Sequence, residues 1–379
     1  MFEQTSKQLM INAYRGEFSS RWPVAPEFWY YFPAKVLGVD MIEFEREVPH
    51  WKALQETFKK YNCEGWGIAF PDITNPRASG KSNTKKINDS RFEETTKTSF
   101  ASEEFTTVKV FDKNQPSWHV KHMADEIDQI SKCVDLLLAD DSVIDLSGAV
   151  LAYKNVGEDF LLEFWLGATF FDFIAGIIGF VKAVDYFLEE EQPILNNYRE
   201  RYINYQKRII AKVCDETDFE AFCIGCSYSC DSLLGPGLWK IWDKPYITAI
   251  ADFIHSRGKL LHLHFHGKCS HSLPEFADTG VDCICPFERP PGGDIDGLDG
   301  LKKVRRLLDG RVTVNGNIHT VNTLIRGTIE DVRREIDELT AAFTGSPRLI
   351  IGTGDQVGRE TKEENIIEMI EYGKRQINR

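Results

Sequence analysis

Residues 259–266 read KLLHLHFH, an apolar run of strand type that ends in two histidines. A stretch with a helical pattern follows it, and this order of strand and helix occurs five times in succession in the second half of the chain. The five strand-like runs are residues 219–225 (FEAFCIG), 259–266 (KLLHLHFH), 281–287 (VDCICPF), 311–317 (RVTVNGN) and 348–352 (RLIIG). Repeated β-then-α units predict parallel strands that are connected by helical crossovers.

Three further strand-like runs in the N-terminal half bring the number of strands to eight. They are residues 22–27 (WPVAPE), 65–70 (GWGIAF) and 160–166 (FLLEFWL). The sequence therefore predicts an α/β fold, a (β/α)₈ TIM barrel with an N-terminal helical extension over residues 1–16, in a single domain of residues 1–379. An open doubly wound sheet is the alternative, but the chain lacks the glycine-rich first turn of a dinucleotide site.

Residues 72–118 interrupt the order of strands and helices. The segment is rich in Asn, Ser, Thr and Lys, and residues 95–110 then alternate in the manner of antiparallel strands. We predict a β-rich insertion there, a β-hairpin region that follows the second strand. It would serve either as a lid or docking element at the catalytic end or as a plain surface excursion.

Composition and charge narrow the class of protein. The formal net charge is −13, and Lys and Arg are mixed with Asp and Glu throughout, which argues against a nucleic-acid partner. The most apolar stretch, residues 161–187, contains four charged side chains, so it predicts a buried strand and a core helix rather than a membrane span. Nine cysteines without short paired spacings do not indicate a disulfide scaffold. We expect a cytoplasmic protein with reduced thiols.

Polar residues stand where each of the five C-terminal strands ends. The carboxyl ends of the strands carry the functional residues of a (β/α)₈ barrel, so five such ends that meet at one rim predict the site. The residues concerned are Ser227, His264, His266, Glu288, Asn317 and Asp355.

His264 and His266 are the most informative pair. Side chains two residues apart on a strand point to the same side, so both imidazoles can coordinate one cation. A third ligand could be Asp355, Glu288 or Cys269, and three protein ligands with an open position would suit catalytic zinc. The alternative is that these histidines are hydrogen-bonded inner residues or substrate binders.

The cysteines of the barrel strands give weaker indications. Cys223 and Cys226 form a C-x-x-C that begins inside a strand, so the two thiols point to opposite faces and are expected in the core. Cys283 and Cys285 lie two residues apart on the sixth strand, and we expect them to pack as small apolar side chains.

Four C-terminal motifs resemble the uroporphyrinogen decarboxylase superfamily in sequence and order. They are LHFHG at 263–267, PPGGD at 290–294, VNGNIHTVNTLIRGT at 314–328 and GTGDQVGRETKEEN at 352–365. That superfamily comprises TIM barrels, among them uroporphyrinogen decarboxylase and methyltransferases that act on methylcobamides. True decarboxylases carry an N-terminal segment of the type RQAGRYLPEY, and nothing similar is present here. The resemblance is therefore closer to the corrinoid-dependent methyltransferases.

The resemblance also implies a metal and a partner. The methylcobamide:thiol methyltransferases have a His-x-Cys-Gly element at the fifth strand and a Cys near the eighth, and these three residues bind zinc. Here His264 matches the histidine, His266 replaces the first cysteine and Asp355 stands in the place of the second. The expected metal site is thus His264, His266 and Asp355, for zinc or another divalent ion, although a harder ligand set puts thiol activation in doubt. A metal-free binding site is the alternative.

The implied activity is methyl transfer between a small molecule and a corrinoid (cobalamin-type) cofactor. The chain has no Asp-x-His-x-x-Gly corrinoid motif, so a separate corrinoid protein would be the partner. His264, His266, Glu288 and Asp355 would be catalytic, and Ser227, Asn317 and His319 would bind the substrate. The competing readings are a metal-assisted lyase, decarboxylase or hydrolase for a small carboxylated substrate, and a non-catalytic binding protein. A homodimer is left open.

Overall fold

The protein was analysed as a computed structural model that describes residues 4–189, 192–308 and 310–377. In chain order its helices are α1 (Ser6–Arg15), α2 (Tyr31–Leu37), α3 (Met41–Glu47), α4 (His50–Tyr61), α5 (Ile130–Leu137), α6 (Ser147–Val156), α7 (Phe170–Ile178), α8 (Phe180–Glu189), α9 (Gln192–Glu216), α10 (Pro236–Ser256), α11 (Leu273–Phe276), α12 (Gly297–Leu308), α13 (Ile329–Ala342) and α14 (Glu363–Lys374). Its strands are β1 (Val24–Ala25), β2 (Trp66–Ala69), β3 (Asp72–Thr74), β4 (Ala78–Asn88), β5 (Arg91–Phe100), β6 (Glu103–Asp112), β7 (Trp118–Lys121), β8 (Val143–Asp145), β9 (Leu161–Ala168), β10 (Ala221–Cys226), β11 (Leu260–Phe265), β12 (Cys283–Pro286), β13 (Thr313–Ile318) and β14 (Leu349–Thr353).

Eight strands form one curled parallel sheet, in the order β1-β14-β13-β12-β11-β10-β9-β2. Every ladder in this sheet is parallel, and each of the eight strand-like runs in the sequence contains or overlaps one of these strands. The predicted (β/α)₈ TIM barrel is therefore confirmed. The barrel strands are apolar and buried because helices cover their outer side.

The barrel closes between its first and second strands, and a buried ion pair lies at this seam. Among the described residues no backbone ladder joins β1 to β2. Instead, the Glu64 carboxylate accepts hydrogen bonds from the Arg21 guanidinium at 2.7 and 2.9 Å and from the Val24 backbone N–H at 2.8 Å. Glu64 stands just before β2, so these contacts tie the start of the first strand to the start of the second.

Helix α1 covers the amino-terminal end of the barrel. Thr5 caps its start in a capping box with Gln8, and Gly16 ends it in the left-handed conformation, with φ of 69°. The Ala13 carbonyl accepts from Thr313 Oγ1 at the start of β13, and the Tyr14 side chain is fully buried. Residues 1–3 of the predicted N-terminal helix lie outside the described residues.

The segment that follows the second strand forms a four-stranded antiparallel sheet in the order β4-β5-β6-β7. It contains the predicted hairpin and extends beyond it to Lys121. A separate short antiparallel pair joins β3 to β8. On β6 the side chains of Phe105 and Val110 are buried, whereas β4 is almost entirely exposed. A lid or docking role for this sheet, and the single-domain organisation of the chain, stay predictions.

Helix α10 begins at Pro236. A proline in the first turn lacks an N–H that would have no helical partner there, so Pro236 can open the helix. Within the described ranges, no helix is both long and apolar enough to span a membrane.

Candidate active site

Two histidines at the end of β11 form the centre of a polar cluster at the carboxyl end of the barrel. The Nε2 atoms of His264 and His266 lie 2.7 Å apart, and their rings stand nearly perpendicular to each other. His264 is buried, while the side chain of His266 is 28% exposed. The cluster therefore reaches solvent at His266.

Glu288 orients His266 from the end of the sixth barrel strand. Its Oε1 atom lies 3.0 Å from His266 Nδ1 and accepts a hydrogen bond from the Gly267 backbone N–H at 2.8 Å. The sequence predicted that the turn after β12 holds a carboxylate at the rim, and the structure places Glu288 there. Asp294, from the same turn, accepts hydrogen bonds from the backbone N–H groups of Cys269 and Ser270, so it shapes the loop after β11.

Glu27 adds a buried carboxylate from the end of the first strand. Its Oε1 atom lies 3.9 Å from His264 Nε2, and its Oε2 atom is buried without a hydrogen-bond partner among the described residues. The Glu27 backbone N–H donates to Thr353 Oγ1, and that hydroxyl donates to the Asp355 carbonyl. Thr353 thus holds the ends of the first and eighth strands together, and Glu27 and Asp355 with them.

The charges of the cluster shift the pKa values of its members. Burial raises the pKa of Glu27 to about 8, and the charges of Asp355 and Glu288 add to this effect. Burial also lowers the pKa of His266, but the Glu288 hydrogen bond and the charges of Glu27 and Asp355 outweigh it and raise the value to about 9. Burial and the neighbouring His266 and His262 hold the pKa of His264 well below its ordinary value. At neutral pH His266 is therefore cationic and His264 neutral.

These protonation states decide which groups donate. A cationic His266 carries a proton on each ring nitrogen, so it donates from Nδ1 to Glu288 and from Nε2 to His264. His264 then keeps its single proton on Nδ1, which lies 3.0 Å from the Sγ atom of Cys285.

Cys285 is buried in an apolar cluster together with Cys283, as expected, and it also contacts two histidines. Its Sγ atom lies 3.0 Å from His264 Nδ1 and 3.0 Å from His262 Nε2. These contacts arise because β12 lies beside β11, and its inward positions face the inward histidines.

The ligand group that the structure brings together differs from the predicted set. Ligand atoms of Glu27, His264 and Cys285 lie within 4.8 Å of one another. His266 and Asp355 lie beside this group, and the charge of Asp355 acts on both His266 and Glu27. Their roles as ligands stay predictions.

These residues fit a divalent metal such as zinc. The orphaned Oε2 atom of Glu27 is a free donor, and imidazole nitrogen, thiolate sulfur and carboxylate oxygen are the donors that zinc binds. Glu27, His264 and Cys285 would hold the ion. Sequence reasoning missed Glu27, although the rule that selected the other strand ends also applies to the end of the first strand.

Two tryptophans form an apolar wall beside His264. Trp29 stacks on the His264 ring with a centroid distance of 5.8 Å, and Trp66 packs against it at 5.5 Å. His50 Nε2 donates to the Trp29 carbonyl at 2.8 Å, and burial lowers the pKa of His50 to about 4. A neutral imidazole can only donate to a carbonyl, so its Nε2 carries the proton.

Ser227 and Asn317 occupy the ends of the fourth and seventh strands, as predicted for substrate-binding residues. The Ser227 side chain is exposed, and its backbone N–H donates to the buried Asp172 carboxylate. Asn317 is buried and donates from Nδ2 to the Ile295 carbonyl at 3.0 Å, while its Oδ1 atom has no partner in the described part of the chain. One polar atom of Asn317 is thus buried without a partner in the described residues.

His319 is engaged in its own loop. Its Nδ1 atom accepts from the backbone N–H groups of Val321 and Asn322, and its Nε2 atom lies 3.0 Å from the Pro290 carbonyl. The ring therefore links the turn after β12 to the segment after β13. Its predicted contact with substrate stays a prediction.

The fold and the cluster together define a TIM barrel with a polar site at the carboxyl ends of its strands. Residues 209–376 match the family model of uroporphyrinogen decarboxylase (URO-D). The match covers the C-terminal part of the barrel and supports the resemblance to the uroporphyrinogen decarboxylase superfamily that the motifs indicated.

Among solved structures, a methyltransferase from Methanosarcina mazei is similar over 98% of this chain and 99% of its own, with a TM-score of 0.62 and 16% sequence identity. At that identity the likeness establishes the shared fold. No curated protein matches the chain in sequence.

Proposed function

We propose that this protein is a methyltransferase that moves a methyl group between a small molecule and a corrinoid cofactor carried on a partner protein. The observation that carries the proposal is the cluster of Glu27, His264, His266, Glu288 and Asp355 at the open end of the barrel. A similar fold in a protein described as a methyltransferase supports it, as do the motifs shared with methylcobamide-dependent enzymes.

The cluster would bind the heteroatom that carries the methyl group. A divalent metal held by Glu27, His264 and Cys285 would supply Lewis acidity, which lowers the pKa of a bound thiol or polarises a methylated oxygen or nitrogen. His266 is cationic at neutral pH, because Glu288 and its carboxylate neighbours raise its pKa to about 9. It can donate a proton to the heteroatom as the methyl group departs, and it can accept that proton when the reaction runs in the opposite direction.

The surroundings of the cluster suit a methyl group. Trp29 and Trp66 present apolar surface next to His264 and would limit the access of water. The buried Oδ1 atom of Asn317 has no partner among the described residues, and it would accept a hydrogen bond from a substrate N–H or O–H only if the substrate reached this depth of the barrel. The corrinoid protein would have to approach the open end of the barrel, where His266 reaches solvent.

The test is a corrinoid methylation assay with purified protein. Free cobalamin, in its reduced form with methylated amines or methoxylated aromatics and in its methylated form with thiols, replaces the partner, and its visible spectrum reports transfer. His266→Ala should reduce the rate by about 100-fold or more, because a positioned acid contributes at least that much. His271→Ala is the matched control, since that side chain is 77% exposed, and it should retain the wild-type rate.

The proposal fails if the wild-type protein changes the cobalamin spectrum with none of these substrate classes. One observation would then favour the alternative, a lyase or decarboxylase. Glu27, with a pKa of about 8, and His266, with a pKa of about 9, are poised for acid–base work near neutral pH. Release of carbon dioxide from small carboxylic acids without cobalamin would identify that activity.

A further inference from the structure

A second polar cluster lies inside the barrel, one layer deeper than the cluster around His264. It consists of Glu163 on β9, Cys223 on β10 and His262 on β11, and all three side chains are fully buried. His262 precedes His264 by two residues, so both rings point to the same side of β11. Cys223 lies opposite His262 in the parallel ladder between β10 and β11.

The polar atoms of this interior cluster converge on one ring nitrogen. Glu163 Oε2 lies 2.9 Å from His262 Nδ1, and Cys223 Sγ lies 3.9 Å from the same atom. The Tyr14 hydroxyl, from the helix that covers the amino-terminal end, is 3.2 Å away. Ligand atoms of Glu163, Cys223 and His262 all lie within 4.8 Å of one another.

The protein leaves the Glu163 carboxylate only half satisfied. Its Oε1 atom is buried and has no hydrogen-bond partner within the described residues. Its other oxygen pairs with His262. A buried carboxylate costs several kcal/mol unless its charge and its lone pairs are compensated. An orphaned oxygen next to a nitrogen and a sulfur donor is an arrangement that a cation would complete.

The donors point to the class of cation. Imidazole nitrogen, thiolate sulfur and carboxylate oxygen together bind zinc and similar divalent transition-metal ions, whereas Mg²⁺ and Ca²⁺ prefer oxygen ligands. We propose that Glu163, Cys223 and His262 form an interior site for Zn²⁺ or a chemically similar divalent ion, separate from the site at the rim. Binding releases the Cys223 thiol proton to solvent, and coordination through Nδ1 leaves the ring proton of His262 on Nε2.

An ion at this site would act on the rim through Cys285. With its proton on Nε2, His262 donates to Cys285 Sγ at 3.0 Å, and that sulfur lies 3.0 Å from His264 Nδ1. The interior ion would therefore fix the His262 tautomer and hold Cys285 and His264 in place. It would also join the third, fourth and fifth barrel strands.

The experiment uses a variant in which metal binding by Glu27, His264 and Cys285 at the rim is weakened. Glu27→Gln protein is produced in medium supplemented with Co²⁺, and its cobalt content and thiolate-to-cobalt charge-transfer absorption are measured. We expect one cobalt per chain and the absorption band in this variant. Adding Cys223→Ser should abolish the band and reduce the cobalt content. Adding Cys226→Ser should change neither, because Cys226 is also fully buried but points to the opposite face of β10.

Two results would overturn the interior site. One is a folded Glu27→Gln variant without cobalt, and the other is a band that persists after Cys223→Ser, which would place the thiolate ligand elsewhere. If Cys223→Ser does not fold, Glu163→Gln keeps the size of the side chain and serves in the same comparison, with loss of cobalt expected. Because no activity is measured, the outcome is independent of methyl transfer.

Discussion

The ion pair at the seam of the barrel gives a quantitative test of the fold. Glu64 is 4% exposed and accepts hydrogen bonds from Arg21 and from the backbone of Val24, which is fully buried. Glu64→Ala leaves the Arg21 guanidinium without its carboxylate, with only the Trp22 carbonyl still accepting from it among the described residues, and it leaves a buried N–H without an acceptor. Removing one member of a buried pair costs about 3–5 kcal/mol. Because one side of Arg21 still reaches solvent, the unpaired guanidinium alone costs about the lower end of this range. The unpaired Val24 N–H adds the remainder of the expected loss of stability.

This free energy converts into a melting temperature. An unfolding entropy of roughly 2.1 cal/mol/K per residue corresponds to about 0.8 kcal/mol/K for 379 residues. Glu64→Ala should therefore lower Tm by about 4–6 °C in differential scanning calorimetry. The control is Asp141→Ala, which removes an exposed ion pair with Arg77 and should lower Tm by about 1 °C or less.

A double variant separates the charge from the geometry of the seam. Arg21→Met with Glu64→Leu removes both charges and leaves apolar side chains, so most of the loss should be recovered. The unpaired Val24 N–H should keep a residual cost of about 1–2 kcal/mol. If Glu64→Ala shifts Tm no more than the surface control does, the seam does not depend on this pair and the reasoning is refuted.

Three further predictions concern single residues. Burial and the charge of Asp243 raise the pKa of Asp172 to about 7. The protonated Asp172 carboxyl therefore contributes fully to stability below pH 4, and this contribution, at most about 4 kcal/mol, is lost as the pH rises through about 7. The Tm of Asp172→Asn should fall less over this pH range than the Tm of the wild type, and parallel curves of Tm against pH would contradict this. Thr353→Val removes the hydroxyl that accepts a hydrogen bond from the Glu27 backbone N–H. We expect a roughly 10–100-fold weaker affinity for added zinc in a competition titration. An unchanged affinity would show that Thr353 does not position Glu27. Asp294→Ala frees the loop after β11 and should speed amide exchange at residues 269–270, while unchanged exchange would mean that other contacts hold the loop.

Much of the barrel could be predicted from the amino-acid sequence. Parallel strands that are covered on both sides must be continuously apolar, so their runs stand out between helical stretches. The eight strands and the helices that follow the last five were found in this way, and the antiparallel insertion was found from the alternation of residues 95–110. His264, His266 and Glu288 were found because strand ends meet at one rim.

The rest depended on contacts between residues far apart in the chain. Glu27 was missed because its partner, His264, lies 237 positions away in sequence and becomes its neighbour only when the first strand closes the barrel. The histidine contacts of Cys285 were missed because a thiol has the same sequence context in an apolar core as in a polar cluster. The interior cluster of Glu163, Cys223 and His262 joins three strands from separate parts of the chain.

The order of residues thus specifies which strands form and which side chains point inward, because strand periodicity is local. It does not specify which inward side chains meet, since that follows from the register between strands and the closure of the barrel. The same local pattern of histidines on β11 would suit several ligand sets. The neighbouring strands brought Cys285 and Glu27 to His264, and placed Cys223 and Glu163 beside His262.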